Sequence, residues 1–587
     1  MRWALVAALA VLLMLPTMLS SYAVTIFILI FFYGFLGQAW NIVGGYAGQL
    51  SVGHAAFVGV GGYTAALLSI ELGLTPWLGM LVGAALSALF GAVIGYLGFR
   101  FGLRGFYFVL LTVAFAEVCR IAVSNIDALG GALGLYITFT GNPRQMQFRD
   151  GRAYYYLALA LMLLATVTAW TIERRRFGVY LAAIREDEGA AEALGVNAFA
   201  YKMRAMVVSS FLTGLGGTFY AFYLFSLQPN TLFGIPLSVE IVIRPIIGGA
   251  GTLLGPILGS FILTPLAELS RLYLGQSGLH GAHLIAYGAL LIGVVLFLPE
   301  GAYPRLRRAL ARRASRGLAA TTSAHVGPTA FSVGLTAPIT TAKTLLLETR
   351  GLSRRFGGVQ AVAGLDLVLP RGEMLGLIGP NGAGKTTAFN LLSGFLAPDA
   401  GEIRFDGRSI VGMPPHAISR LGLARTFQIV RPFPRMTVLE NVRVGALARH
   451  PRSAEALERA RGVVERVGLG ARERVLASAL TLPERKRLEL ARALATEPTL
   501  LLLDEVMAGL NPTEIETMIQ LIRAIHASGV SILLIEHNMR AVMALSQRIV
   551  VLSFGEKIAE GTPADIANHP KVIEAYLGEE YVHAAPA

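Results

Sequence analysis

Cysteine is almost absent: Cys119 stands alone in 587 residues, so no intrachain disulfide can form. For that residue a small buried or lipid-facing side chain is the plain reading. Charge is scarce as well. Only 15% of residues are Asp, Glu, Lys or Arg while 54% are hydrophobic, whereas a soluble domain carries about 25% charged residues. Such a deficit implies that much of the chain sits in lipid, and the length calls for at least two domains. Acid is scarcer than base, leaving a formal charge of +13. No basic stripe interleaved with aromatics accompanies it, so nucleic acid is not read as a partner.

The apolar residues crowd into the first 300 positions, and a spanning helix needs ~20 of them. Runs of this kind cover residues 3–19, 22–43, 52–72, 77–99, 106–123, 154–172, 205–225, 253–272 and 284–298. The start has an Arg, an apolar core and a small-residue end, the build of a signal peptide. More apolar segments follow at once, so an uncleaved first membrane helix is expected. Arg174, Arg175, Arg176, Arg185, Lys202 and Arg204 place the loop at 173–204 on the cytoplasmic side. Arg305, Arg307, Arg308, Arg312, Arg313 and Arg316 do the same for the stretch after the last run, where membrane lipid headgroups are a further partner. An even number of crossings must separate the two loops, yet only three runs do. Residues 236–247, ended by Gly248-Gly249-Ala250-Gly251, supply the fourth if packed inside protein; a re-entrant piece is the alternative. The expectation is an all-α polytopic membrane domain of about ten transmembrane segments over 1–300.

Glycine is dense here, as in Gly59-Val60-Gly61-Gly62, and close helix packing explains most of it. Residues 41–54 place Asn41, Gln49, Ser51 and His54 at membrane depth. Polar groups there face a cavity or one another, and a solute path is the functional reading. Residues 185–195 read as a short amphipathic helix ended by Gly195, which is either a solvated loop or a surface that meets an ATPase. A flexible basic linker is expected over 301–344, rich in Ala, Arg, Ser and Thr.

Beyond it the strongest signal in the chain is Gly379-Pro380-Asn381-Gly382-Ala383-Gly384-Lys385-Thr386-Thr387, a complete phosphate-binding loop between a buried strand and a helix. Its backbone N–H groups wrap phosphates, with Lys385 reaching the terminal ones and Thr386 binding Mg²⁺. Downstream, Leu500-Leu501-Leu502-Leu503-Asp504-Glu505 is an apolar strand ending in two carboxylates. Asp504 suits Mg²⁺, and Glu505 suits activation of the attacking water. A further strand ends at Glu536-His537; a lone His is more often structural, and only order and spacing favour a contact to the γ-phosphate. An α/β P-loop domain is expected over 345–587.

These residues resemble the ABC ATPases. The resemblance implies that Phe356 stacks on adenine, Gln428 senses Mg²⁺ and faces a permease, His537 is the switch histidine, and Ala508-Gly509-Leu510-Asn511 is the dimer-contact loop. The family signature Leu-Ser-Gly-Gly-Gln is replaced by Leu480-Thr481-Leu482-Pro483-Glu484. In the family this loop meets the partner's γ-phosphate, and Pro483 has no N–H to offer. The implied partner is therefore a second ABC ATPase with an intact signature.

The membrane half resembles the permeases of branched-chain amino acid ABC importers, through Asn41-Ile42-Val43-Gly44-Gly45-Tyr46-Ala47-Gly48-Gln49 and Ile247-Gly248-Gly249-Ala250-Gly251-Thr252. In that family residues 184–195 correspond to the coupling loop, here Glu188, Gly189, Ala190 and Ala191 with Gly195. The tail at 555–579 resembles the same transporter's larger ATPase. The resemblance implies an importer subunit of the bacterial inner membrane with its ATPase domain in the cytoplasm. It also implies ATP and Mg²⁺, a second permease subunit, and a periplasmic or lipid-anchored solute-binding protein. Relatives that import urea or short amides leave the solute open. An exporter half-transporter and an ATP-gated regulator are the other readings; ten short glycine-rich segments argue against the exporter.

Overall fold

The structure, a computed structural model, describes residues 2–275, 288, 289, 292, 293, 296, 301–315 and 344–577. It divides into two compact units, Met1–Arg185 with Phe199–Ser323, and Glu186–Ala198 with Ala324–Ala587.

The first unit is helical. Among the described residues, seven stretches are long and apolar enough to cross a bilayer: Ser21–Tyr46, Ala55–Leu72, Pro76–Arg100, Phe106–Asn125, Gly151–Arg174, Ala198–Leu224 and Pro229–Gly248. The run at 3–19 instead yields the helix Arg2–Met14 and a 3₁₀ turn, Leu15–Thr17, with Pro16 inside it. Thirteen residues rise only ~20 Å, short of the ~30 Å hydrocarbon core. The run at 253–272 lies in Gly255–Gly275, interrupted by Pro265, and the run at 284–298 lies outside the described residues apart from a few positions. The short crossing expected at 236–247 is longer than that reading. The turn Pro229–Leu232 precedes the helix Ile235–Gly248, and together they give a 20-residue span.

Glycines let these helices touch. A Cβ on Gly61 would overlap the backbone of Gly214, so Ala55–Leu72 and Ala198–Leu224 meet backbone to backbone. Three of the polar residues at 41–54 face one another and the neighbouring helices and loop, the second of the two arrangements expected of polar groups at that depth. Asn41, Ser51 and His54 are fully buried. His54 bonds Ser51 Oγ at 2.9 Å and Ser209 Oγ at 3.0 Å, while Asn41 clamps the Gly251 N–H at 2.7 Å and the Thr252 carbonyl at 3.0 Å. Their polar groups are spent on one another, on Ser209 and on the glycine loop at 251–252, so in this conformation they form a closed polar network.

The linker expected as flexible over 301–344 begins as a helix, Ala302–Ser315. Alanine, leucine and arginine are strong helix formers, and Pro304 sits in the first turn where no N–H is needed. Residues 316–343 lie outside the described residues.

The second unit is α/β. Six strands form one sheet in the order Glu556–Gly561, Arg548–Ser553, Met374–Ile378, Ser531–Ile535, Leu500–Asp504 and Leu423–Arg425. All neighbours are parallel except the first pair. The three central strands are buried at every position and apolar except at Ser531 and Asp504, as a parallel sheet covered on both faces requires. An antiparallel sheet of four strands is built on the long hairpin Leu345–Phe356 and Val359–Pro370. Glu186–Ala198, which lies between two membrane helices in sequence, belongs to this unit.

Candidate functional site

Parallel strands all end on one edge, so the residues just past their C-termini converge. Met374–Ile378 leads into the phosphate loop, Leu500–Asp504 into Glu505, Ser531–Ile535 into His537, and Leu423–Arg425 toward Gln428. The sequence spreads these residues over more than 150 positions; the strand order gathers them.

The loop is shaped by Gly379, Gly382 and Gly384, all at positive φ, with Asn381 and Gly382 exposed and Ala383 buried. Gly384 at φ 97 opens the helix Lys385–Leu392. A Cβ there would strike the Ala361 carbonyl, so glycine is required twice over. Lys385 is buried, and its Nζ donates to the carbonyls of Gly379 at 2.7 Å and Pro380 at 2.9 Å. Burial pulls its ammonium below the usual lysine range, while Glu505 and Asp504 pull it back. Thr386 is exposed and Thr387 half-buried on the first turn, in reach of the loop's mouth.

Asp504 is 1% exposed, and neither carboxylate oxygen accepts a hydrogen bond among the described residues. Arg425 Nη2 stands 3.5 Å from Oδ2. Burial raises its carboxyl to about 6 against the pull of Arg425. A buried acid without hydrogen bonds, beside the Thr386 hydroxyl's helix, fits a hard divalent cation, which takes oxygen ligands.

Glu505 is the hub. Its Oε2 accepts from Gln428 Nε2 at 2.9 Å, and its Oε1 lies 2.9 Å from His537 Nε2. Its backbone sits at φ 48, a region costly for a side chain that is not glycine. Two contacts pin it there: its N–H donates to the Ile535 carbonyl at 2.9 Å, and its carbonyl accepts from Lys486 Nζ at 2.8 Å. The three residues expected near the γ-phosphate are thus brought together. Phe356 is placed apart from them, half-exposed at a strand end with the Arg354 guanidinium 5.2 Å from its ring.

The altered signature has a specific geometry. Thr481 donates from N and Oγ1 to Glu484 Oε2 at 2.9 and 3.1 Å, and Arg472 holds Oε1 at 3.1 Å. Leu482 and Pro483 open the helix Leu482–Leu494. A helix N-terminus that would attract an anion is occupied by the chain's own carboxylate.

Sequence reasoning missed Arg425, Lys486, Glu489 and Arg492, all at most 6% exposed. The last three recur every third residue along Leu482–Leu494 and face inward. Glu489 Oε1 accepts from the Phe427 N–H at 2.8 Å, and Arg492 bonds the Arg431 carbonyl. Burial raises Glu489 to about 7 and lowers Arg492 to about 10.

At the far end of this row lies the segment 186–198. Asp187 caps the helix Glu188–Ala193, accepting from the Ala190 N–H at 2.8 Å, and its other oxygen is 3.7 Å from Arg431 Nη1. Arg420 Nε donates to the Gly195 carbonyl at 3.0 Å, and the Arg435 N–H to Glu186 Oε2 at 3.3 Å. Ala190 and Ala191 are buried, and Ala190, Ala193 and Leu194 share a hollow with Phe427, Glu489 and Arg492. Gly189 lies within van der Waals reach of Phe395, for an added Cβ.

A nucleotide loop, an acidic strand end and a polytopic helical unit in one chain define an ATP-binding membrane transporter. Residues 22–298 match the family model of the branched-chain amino acid transport system permease component. Residues 362–508 match that of ABC transporters, and 556–582 that of the branched-chain amino acid ATP-binding cassette transporter. The chain is 44% identical over 251 residues to the high-affinity branched-chain amino acid transport ATP-binding protein BraF of Pseudomonas aeruginosa, covering 40% of this chain and 98% of that protein. LivG of Escherichia coli, of the same description, is 44% identical over 250 residues with the same coverages. The ADP conformation of MJ1267, an ATP-binding cassette of an ABC transporter, has a TM-score of 0.37 and 30% identity over 40% of this chain and all of that one. The chain belongs to the branched-chain amino acid ABC transporter family, with the permease component and the ATP-binding component in one polypeptide. It is an ABC-type ATPase and a multi-pass membrane protein, and its family works with partner subunits.

Proposed function

We propose that this chain is a subunit of an ATP-driven importer of branched-chain amino acids in the bacterial inner membrane, supplying both a translocation path and ATP hydrolysis. The observation that carries the reading is the seat of 186–198: a piece of the permease half of the sequence is built into the ATPase unit through Asp187, Glu186 and Gly195. An ATPase that moves no solute has no use for that joint.

In this reading the backbone amides of 379–384, Lys385 and Thr387 hold the ATP phosphates, and Phe356 stacks on the base. Asp504, Thr386 and Gln428 hold Mg²⁺, which supplies charge neutralisation on the phosphates. Glu505 takes a proton from the attacking water as its oxygen bonds the γ-phosphorus and ADP leaves, and His537 holds the γ-phosphate side of the pocket. ATP binds the closed state better than the open one, which is what moves Glu188–Ala193 and its neighbours. The ATPase unit lies in the cytoplasm. A second permease, a solute-binding protein and a second ATPase with an intact signature complete the transporter, because Glu484 occupies the position at which this chain would meet a partner's phosphate.

The test is uptake of labelled leucine by cells lacking this gene, rescued by the wild type or by Glu505→Gln. Rescue by the wild type alone is expected. Unchanged leucine uptake on deletion would remove the solute from the proposal and point to urea or short amides.

A further inference from the structure

The helical unit holds an acid–base pair that the nucleotide site does not use. Glu240 lies near the middle of the span Pro229–Gly248, and Arg244 follows one turn later on Ile235–Gly248. Arg244 is 1% exposed. Its Nη1 donates to the Glu240 carbonyl at 2.5 Å, its Nη2 lies 3.5 Å from Glu240 Oε2, and its Nε lies 3.5 Å from Thr264 Oγ1. The guanidinium stacks over the Tyr33 ring at 3.6 Å. Three helices, Ser21–Asn41, Ile235–Gly248 and Gly255–Gly275, therefore meet at the Arg244 guanidinium. The Glu240 side chain nonetheless stays 38% exposed while that of Arg244 is 2% exposed.

That asymmetry decides between two roles. A pair kept for architecture hides both charges, since a half-solvated ion gains little from its partner. Here the base is sealed in and the acid opens outward from an apolar span. A carboxylate at mid-span cannot face hydrocarbon; it faces water or a polar group.

We propose that Glu240 is the intramembrane contact for the α-ammonium group of the amino acid being moved, with Arg244 as the positioning residue beside its carboxylate and the Tyr33 ring stacked on the Arg244 guanidinium. The inference rests on the importer reading above. An amino acid with an apolar side chain needs no polar help for that side chain; its ammonium must exchange water for acceptors. Glu240 offers a part-exposed carboxylate as acceptor, and Arg244 is its partner between passages. Urea and short amides carry no ammonium and gain nothing from it.

Two experiments on the full chain, expressed with its own partners, test this. In the first, Glu240→Gln lowers leucine uptake about tenfold or more with the chain present in the membrane in normal amount, and Glu240→Asp restores a substantial part. Wild-type uptake by Glu240→Gln overturns the proposal. The second uses the single cysteine to advantage. Glu240→Cys in a Cys119→Ala chain is labelled by a membrane-impermeant cationic methanethiosulfonate, and leucine slows the labelling. No labelling, or labelling that leucine leaves unchanged, overturns the proposal even where the acid variants fail to assemble. If the wild type itself imports no leucine, the importer reading falls and this inference with it; if the wild type imports leucine and only the Glu240 results fail, this inference falls alone.

Discussion

The Nε2 of His537 lies 2.9 Å from Oε1 of Glu505, although 31 residues of helix and strand separate the two along the chain. Gln428 holds the other oxygen at 2.9 Å. The carboxylate is therefore gripped from both sides before any water reaches it, so its direction is set by the scaffold and not by the substrate.

The first prediction concerns that grip. Glu505→Gln keeps the size and one acceptor oxygen but removes the base. ATP binding is expected to persist while phosphate release by the assembled transporter falls ~10²–10⁴-fold. Nucleotide binding by filtration and phosphate release, measured together, separate the two. Turnover near wild type would place the base elsewhere.

A second prediction concerns the strained backbone. Glu505 sits at φ 48 with its carbonyl held by Lys486. Lys486→Met keeps the buried stem and removes the donor. Turnover is expected to fall ~10- to 100-fold with nucleotide affinity little changed, because the base loses its aim and not its charge. A matching loss of affinity would show that Lys486 acts on the nucleotide instead.

Much of this was legible in the sequence because each element of the nucleotide site is local. A buried strand, a glycine turn and a lysine occupy one continuous stretch at 374–387, and Asp504 and Glu505 directly end an apolar run. Hydropathy likewise located the membrane half. It could not locate Glu240 and Arg244, because ten apolar neighbours hide two charges in any window average. Nor could it mark Lys486, Glu489 and Arg492 as buried. A charged face at helical spacing is normally the solvated one, and only the packing of 186–198 and of Phe427 against that face reverses the reading. The path suggested for Asn41, Gln49, Ser51 and His54 was open for the complementary reason: polarity at depth signals either a cavity or a closed network, the pattern does not distinguish them, and Asn41, Ser51 and His54 are hydrogen-bonded and buried in this conformation.

Glu489 carries a pH prediction. Burial raises its carboxyl from 4.5 to about 7, against Arg492, the Phe427 N–H, Lys486 and Arg425. An acid with a raised folded value binds its proton better folded than unfolded. Its stabilising contribution is therefore complete below about pH 4.5 and is lost as pH rises through about 7, on the order of 3 kcal/mol over that window. Glu489→Gln keeps an acceptor for the Phe427 N–H and cannot titrate. The Tm of the purified transporter should then depend less on pH between 5 and 8 than that of the wild type. Parallel Tm–pH curves would mean that Glu489 does not titrate in this range.

The last prediction concerns coupling. Glu188–Ala193 is a helix of six residues, too short to hold itself together in water. What orders it is its cap and its seat. Asp187 spends one oxygen on the Ala190 N–H and presents the other to Arg431, whose guanidinium also lies 5.0 Å from the Phe427 ring, one residue from Gln428. Removing the carboxylate by Asp187→Ala costs the cap ~1 kcal/mol and severs the link toward Gln428. Nothing in the phosphate loop changes. ATP hydrolysis should therefore continue near the wild-type rate while leucine moved per ATP falls several-fold. Asp187→Asn keeps the cap and drops the charge, so it separates the two contributions: recovery of the ratio means the helix needed only its cap, and no recovery means the ion pair with Arg431 transmits the stroke. If Asp187→Ala leaves the ratio intact, the segment's order does not depend on this residue, and Gly195 with Arg420 becomes the contact that holds it.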